Sequence, residues 1–183
     1  MRPGNLSVRI YLLTLSRRAR RDIVFSNCDL SGLIAEAKTL LEKQIKDSGA
    51  VIEVQEIPHI TCHETSILIL FQNLIANAIK YCDKDRPQIL IKYEDDLKYY
   101  LFSVIDNGIG IEPEMQQKVF ALFKKAHNNN KIKGSGAGLA IVETLVKQHQ
   151  GRVWVAQSKV GQGTIIKFTI SKELELSHAE MSA

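Results

Sequence analysis

The segment LFSVIDNGIGI, Leu101 to Ile111, constrains the fold more than any other part of this chain. Its first half is strand-like, because Leu101, Phe102, Val104 and Ile105 are of the types that suit a pleated, half-buried surface. Asp106 stands where that strand should emerge, followed by Asn107-Gly108-Ile109-Gly110. Glycines two residues apart permit positive φ and let a flat ligand come close to the backbone. A carboxylate at the floor of a glycine-walled pocket is a hydrogen-bond acceptor, and the exocyclic amine of a purine is one group that suits it. A tight hairpin with a solvated aspartate has the same local sequence, so the flanking segments decide between the two.

A chain of 183 residues fits one domain with a short appendage, and its 45% apolar share supplies a sizeable core. Three cysteines, Cys28, Cys62 and Cys82, are an odd number without paired spacing, which argues for a reducing compartment. No signal peptide is read, and no apolar run approaches the roughly 20 residues that span a bilayer. The expected location is cytoplasmic, as a soluble unit or as the cytosolic part of a larger sensor. The formal charge of +4 owes much to Arg17, Arg18, Arg20 and Arg21. These close a helical stretch from Leu6, too thinly apolar to bury itself alone, that reads as the stub of a coiled coil or bundle. No aromatic interleaving supports a nucleic-acid surface there.

Asp29 is a credible N-cap for a helix running to about Asp47, closed by Gly49. Val51 to Gln55 alternates as a strand. His59, Cys62 and His63 stand close together in an expected loop, but H-x2-C-H without a second ligand cluster is a poor metal motif. Ser66 to Tyr81 reads as a helix with Ile67, Leu68, Phe71, Leu74, Ile75, Ala78 and Ile79 on one arc. Asn73, Asn77, Lys80 and Tyr81 gather opposite. Two asparagines one turn apart are costly for a helix, yet an amide oxygen is a neutral, hard ligand suited to Mg²⁺ and lysine answers phosphate charge. Gln88–Glu94 and Lys98–Asp106 then form a hairpin around Asp95-Asp96. Pro113 opens a short helix expected to end in Val119-Phe120-Ala121-Leu122-Phe123. Lys124 to Lys133, with asparagines at 128, 129 and 130, has the composition of a mobile loop or lid.

At Gly134 the chain continues as GSGAGLAIVETLVKQHQG. Alternate glycines at 134, 136 and 138 open a helix with Leu139, Val142, Leu145 and Val146 on its apolar face, stopped by Gly151. Amides converging at a helix N-terminus form an anion site that glycine leaves accessible. The spacing is neither the dinucleotide G-x-G-x-x-G nor a P-loop. Arg152–Gln157 and Thr164–Ile170 read as a last hairpin with Gly161-Gln162-Gly163 near its turn, and the tail from Ser171 is polar.

In this order, FQNLIANAIKY, DNGIGI, VFALF and GSGAGLAI, with GQGT near the end, resemble the N, G1, F and G2 boxes of the ATP-binding catalytic domain of bacterial sensor histidine kinases. These belong to the wider gyrase/MutL/histidine-kinase superfamily. The resemblance implies an α+β two-layer sandwich, the Bergerat fold, with a mixed, mostly antiparallel sheet, helices on one face and a mobile lid. It divides the chain into a helical stub (1–22) resembling the end of a dimerisation-domain helix, an ATP-binding domain (23–171) and a polar tail (172–183). ATP and Mg²⁺ are the implied cofactors. Carried over by position, Asn77 would hold Mg²⁺ with Asn73 beside it, Lys80 would meet phosphate, and Tyr81 would line the adenine side. Asn77 and Lys80 are thus the implied catalytic pair. Asp106 would accept from the adenine amine, with Gly108, Gly110 and Ile111 shaping the wall. Lys133, Gly134, Ser135, Gly136, Ala137, Gly138 and Leu139 would surround the phosphates, and Thr164 would lie near the base. Phe120 and Phe123 would anchor the lid.

His59, His63, His127, His149 and His178 all lack the H-E-x-[KR]-[TNS]-P context of the family's phosphoacceptor, so the implied activity is transfer of the ATP γ-phosphate to a histidine on a dimerisation domain outside this chain. A response regulator would act downstream, and a homodimer would form through the N-terminal helix of the full-length protein. Ile69 stands where relatives often carry Gln or Glu, and Lys125 where arginine is frequent. A nucleotide-responsive interaction module without chemistry, or a serine kinase of the anti-sigma-factor type, are the alternative readings. Asn73 occupies the position of the water-activating glutamate of gyrase-type ATPases and cannot take up a proton at neutral pH, which disfavours hydrolysis.

Overall fold

A computed structural model describes residues 23–121 and 136–174. The expected N-terminal stub, Leu122, Phe123, the lysine- and asparagine-rich segment with Lys125 and Lys133, and Gly134 and Ser135 lie outside the described residues. The elements run β1 (Ser26–Asp29), α1 (Leu30–Leu40), α2 (Glu42–Ser48), β2 (Val51–Val54), β3 (His59–Cys62), α3 (Glu64–Lys80), β4 (Gln88–Asp95), β5 (Tyr99–Asp106), α4 (Pro113–Gln116), α5 (Gly138–Gln148), β6 (Val153–Lys159) and β7 (Gly163–Ser171). Five strands form one sheet in the order β2-β4-β5-β7-β6, parallel between β2 and β4 and antiparallel elsewhere. β1 and β3 form a separate antiparallel pair.

Alternation along β5 and β7 puts Phe102, Val104, Ile166, Phe168 and Ile170 into the core, which α1, α3 and α5 complete. The joint between the layers is aromatic. Phe102 and Phe168 are paired across the ladder and stacked at 5.0 Å, and Phe71 of α3 meets them edge-on at 6.2 and 5.8 Å. Fixing this face of α3 to the sheet turns Asn73 and Asn77, one turn apart on the opposite side, away from the core. Among the described residues, no helix is long and apolar enough to cross a membrane.

Several local expectations change. The helix after Asp29 begins as expected, with the Asp29 carboxylate accepting from the Ser31 amide at 3.0 Å, but it is interrupted at Leu41. His59 and Cys62 belong to β3 rather than to a loop, and His63 caps α3 by accepting from the Ser66 amide. β3 pairs only with β1, a distant stretch, and that pairing is not visible in either segment alone. The helix opened by Pro113 is a single turn, after which Val119 and Phe120 are buried. Gly151 does not supply the left-handed residue that ends α5; Gln150 does, at φ 54. Gly151 is needed for a different reason, since a Cβ there would stand 1.8 Å from the Thr169 carbonyl oxygen. Packing also continues past Ser171, because Leu174 is buried and the Lys172 amide donates to Lys98 O.

Candidate nucleotide-binding site

α3 supplies the polar floor. Asn73 Nδ2 donates to Ile69 O one turn back at 2.8 Å, which points its Oδ1 outward as an acceptor. No hydrogen bond engages the Asn77 carboxamide among the described residues. The first turn of α5 comes down on this face: a Cβ on Gly138 would lie 3.1 Å from Asn73 Oδ1, 3.2 Å from Asn77 Nδ2 and 3.4 Å from Asn77 Oδ1. Any side chain there would press both asparagines aside by a few tenths of an ångström. Gly136 reaches this position with φ 71, and Ala137 at the N-cap offers no side-chain acceptor to the first-turn amides. Uncapped amides beside neutral carboxamide oxygens suit a polyphosphate with its counter-cation. Leu139, on the same turn, is half-buried against the core.

At the end of α3, Lys80 Nζ donates to the Tyr81 hydroxyl at 3.3 Å and lies 4.7 Å from the ring centroid. The Tyr81 carbonyl accepts from the Ile109 amide at 2.9 Å, which fastens the helix end to the acid-glycine turn. Gly108 is required there, since a Cβ would fall 2.5 Å from Tyr81 O. Gly110 combines φ 75 with a Cβ position 2.2 Å from Lys159 O, and Gly161 N closes the same contact onto Ile109 O.

Asp106 ends β5 opposite Thr164 of β7. Its Oδ1 accepts from Gly108 N at 2.8 Å and Thr164 N at 3.2 Å. Among the described residues no donor meets Oδ2, which keeps its acceptor capacity. Burial raises the carboxyl's pKa above the ordinary value, and the two backbone amides oppose the shift without cancelling it. The group is thus held in a partly desolvated place where a ligand donor is worth more than in water.

The structure therefore brings together Asn73, Asn77 and Gly138 on one side, and Tyr81, Asp106, Gly108, Gly110, Ile111 and Thr164 on the other, with α3 common to both. Three positions that are not among the expected site residues belong to the same assembly. Asn107 Oδ1 accepts from Gln88 N at 2.9 Å while its Nδ2 donates to Arg86 O at 3.2 Å, tying the connection after α3 to the end of β5. Ser158 Oγ accepts from the Ile111 amide at 2.8 Å and contacts Thr164 Oγ1 at 2.9 Å. Gln116 Nε2 donates to both Ile111 O and Ser158 O.

The His59–Cys62–His63 group does different work. His59 lies 3.9 Å from Asp29, Cys62 is buried beside Cys28, and His63 caps α3. Among the described residues no group of three or more His, Cys, Asp or Glu could hold a metal ion. The neutral carboxamide oxygens of Asn73 and Asn77 are of a chemical type that suits a hard cation.

A family model described as "Histidine kinase-, DNA gyrase B-, and HSP90-like ATPase" matches residues 62–174. The cyanobacterial phytochrome A of Nostoc sp. is 37% identical over 159 residues, covering 87% of this chain and 21% of that protein. The methanogenesis regulatory histidine kinase FilI of Methanothrix harundinacea is 33% identical over 140 residues, covering 75% of this chain and 16% of its own length. The chain thus spans a small part of the curated relatives it matches. Among solved structures, the catalytic domain of histidine kinase ThkA superposes with a TM-score of 0.67 at 27% identity, covering 81% of this chain and 97% of that one. Full-length ShkA, solved in complex with AMPPNP, superposes with a TM-score of 0.74 over 94% of this chain and 36% of its own, and at 23% identity supports the fold alone.

Proposed function

The chain belongs to the histidine kinase-, DNA gyrase B- and HSP90-like ATPase family, as an ATP-binding catalytic domain of the sensor histidine kinase kind, and from that premise we propose that it passes the γ-phosphate of Mg·ATP to a histidine on a dimerisation domain of the full-length protein. The observation that carries the reading is the approach of Gly138 to Asn73 and Asn77, within 3.1–3.4 Å of a Cβ position, on the same helix whose end is pinned to the Asp106–Gly110 turn. A phosphate place and a base place thereby share one floor.

Phosphoryl transfer asks a protein mainly for alignment and charge neutralisation. In this reading Asp106 Oδ2 accepts from the adenine amine, and Lys80 leaves the Tyr81 hydroxyl to meet phosphate. The first-turn amides of α5 receive the phosphate oxygens. Asn77 would hold Mg²⁺, which when bound neutralises phosphate charge. Asn73 stays hydrogen-bonded to Ile69 O and offers no basic group, so water is poorly activated and a positioned acceptor is favoured over hydrolysis.

In the full-length protein the acceptor is a dimerisation domain, with a response regulator downstream, self-association through the N-terminal helix, and a cytoplasmic location for this domain. The test uses γ-labelled ATP, the 183-residue chain and a separate dimerisation-domain fragment. Acid-labile, base-stable label on the fragment is the expected result. ATP binding without transfer to any acceptor would leave a nucleotide-responsive interaction module instead, and base-labile label would indicate a serine acceptor.

A further inference from the structure

Three contacts converge on one hydroxyl beside the base end of the site. The Ile111 amide donates to Ser158 Oγ at 2.8 Å, Ser158 Oγ and Thr164 Oγ1 are 2.9 Å apart, and Ser158 Oγ reaches the Gly163 carbonyl at 3.2 Å. A serine hydroxyl has one proton and two lone pairs. All three contacts can be hydrogen bonds at once in a single arrangement. Ser158 gives its proton to Gly163 O, which can only accept, and its lone pairs take the Ile111 amide and the Thr164 hydroxyl proton. Thr164 Oγ1 then has no proton left and presents lone pairs only. The backbone amide of Thr164 meanwhile donates to Asp106 Oδ1 at 3.2 Å. Gln116 Nε2 holds the same segment by its carbonyls, bonding Ser158 O at 3.2 Å and Ile111 O at 3.0 Å.

We propose that Ser158 is a positioning residue for base selectivity: it sets the hydrogen-bond polarity of Thr164 beside Asp106, so that this end of the site offers acceptors, admits 6-aminopurines and rejects 6-oxopurines. The proposal rests on the adenine reading of Asp106. An amino group at position 6 brings protons to an all-acceptor wall. A carbonyl at position 6 brings lone pairs to lone pairs, and a site of fixed polarity discriminates strongly against the mismatched partner. Without Ser158, the Thr164 hydroxyl is free to turn and donate to a 6-oxo group.

Calorimetric titration of the 183-residue chain with the magnesium complexes of ATP and inosine triphosphate tests this, because the two share ribose and triphosphate and differ at position 6. Ser158→Ala is expected to narrow the ATP-over-inosine ratio by about tenfold, mainly by improving inosine triphosphate binding. Ser158→Thr, which keeps the hydroxyl, is expected to restore the ratio. An unchanged ratio in Ser158→Ala overturns the proposal. So does an equal loss for both nucleotides, which is what a merely structural role produces. Asp106→Ala in the same titration separates the two claims. If it leaves the ratio unchanged, the adenine reading fails and this proposal with it. If it collapses the ratio while Ser158→Ala does not, only the role of Ser158 fails. Should Ser158→Ala not fold by circular dichroism, Thr164→Val removes the hydroxyl whose polarity is at issue. It is expected to weaken ATP without strengthening inosine triphosphate, and unchanged ATP affinity there overturns the proposal.

Discussion

Gly138, at the first turn of α5, stands over Asn73 of α3 so closely that a Cβ built on it would lie 3.1 Å from the Asn73 Oδ1. The carboxamide floor and the amide roof of the proposed phosphate place are thus in close approach. A methyl group added at 138 forces both asparagines aside by a few tenths of an ångström. Because these side chains are not core, the fold should tolerate it.

Gly138→Ala is therefore expected to melt within a few degrees of the unaltered protein while losing about tenfold in Mg·ATP affinity. Titration calorimetry with a parallel thermal melt checks this. Full affinity with an intact fold would remove the contact from the phosphate site.

Asp106→Asn keeps an oxygen for the Gly108 and Thr164 amides but turns the second atom into a donor. Loss of the amine contact should weaken ATP by about 1–3 kcal/mol. The folded-state pKa of Asp106 lies above its ordinary value, so its protonated form is the one folding favours. That contribution is present at acid pH and is lost as pH rises through the folded pKa, leaving the ionised group unfavourable at neutrality. Nucleotide-free Asp106→Asn should accordingly melt no lower than the unaltered chain at pH 7.5. ATP affinity of the unaltered chain should fall toward acid pH, as the carboxylate takes up a proton.

His149 is fully buried, with Nδ1 2.8 Å from Leu145 O and Nε2 accepting the His63 amide at 3.0 Å. A carbonyl and an N–H leave no choice of tautomer: the ring is neutral, protonated on Nδ1. Burial lowers its pKa to about 4, and His63 is lowered too, again chiefly by burial. Both unfolded rings bind protons before the folded ones do, so their contribution is complete above the ordinary value of 6.5 and is lost on acidification, for His149 as pH falls toward about 4. Denaturant unfolding should lose about 1.4 kcal/mol per pH unit from His149 within that window. His149→Ala should cost about 3 kcal/mol at pH 7.5 and flatten the slope. An equal slope in the variant would assign the pH dependence elsewhere.

Gln150 and Gly151 carry opposite predictions. Gln150 holds φ 54, so Gln150→Gly should gain about 0.5–1 kcal/mol by relieving the left-handed backbone. Gly151→Ala puts a methyl 1.8 Å from Thr169 O, a backbone atom that cannot yield without parting α5 from β7. A loss above about 3 kcal/mol, or failure to fold, is expected by circular dichroism and thermal melting.

Lys80 is held by both the hydroxyl and the ring of Tyr81. Tyr81→Phe retains the ring contact and should change ATP affinity by less than about threefold, whereas Lys80→Ala should cost about tenfold and lose its effect at high salt. Similar losses in the two variants would give the hydroxyl a direct role in binding.

Much of this was legible in the chain. The run of β-branched and aromatic residues before Asp106 became β5, and the apolar arc of the asparagine helix became the buried face of α3. Phe71 on that arc meets Phe102 and Phe168 in the sheet, as a broad apolar stripe demands. The two asparagines stood out because they are poor helix formers in a place where only the outer face could use them. Periodicity reports which face of an element is apolar, and motif order reports which special turns follow one another.

Neither reports what one side chain meets across the fold. β1 and β3 escaped notice because each is paired only with the other, a contact between distant stretches that neither announces by itself. Ser158 looks like any polar residue before a turn, yet the β6–β7 ladder carries it to Thr164 and the Ile111 amide. His149 reads as an ordinary histidine near a helix end until α3 brings the His63 amide to its free nitrogen. The chain by itself determined the elements and the order of their chemistry, because backbone propensity and apolar periodicity act among near neighbours. Only the tertiary structure decided which amide, hydroxyl and carboxylate oxygen share a proton, because a hydrogen bond depends on distances of tenths of an ångström between groups that have no neighbourhood in sequence.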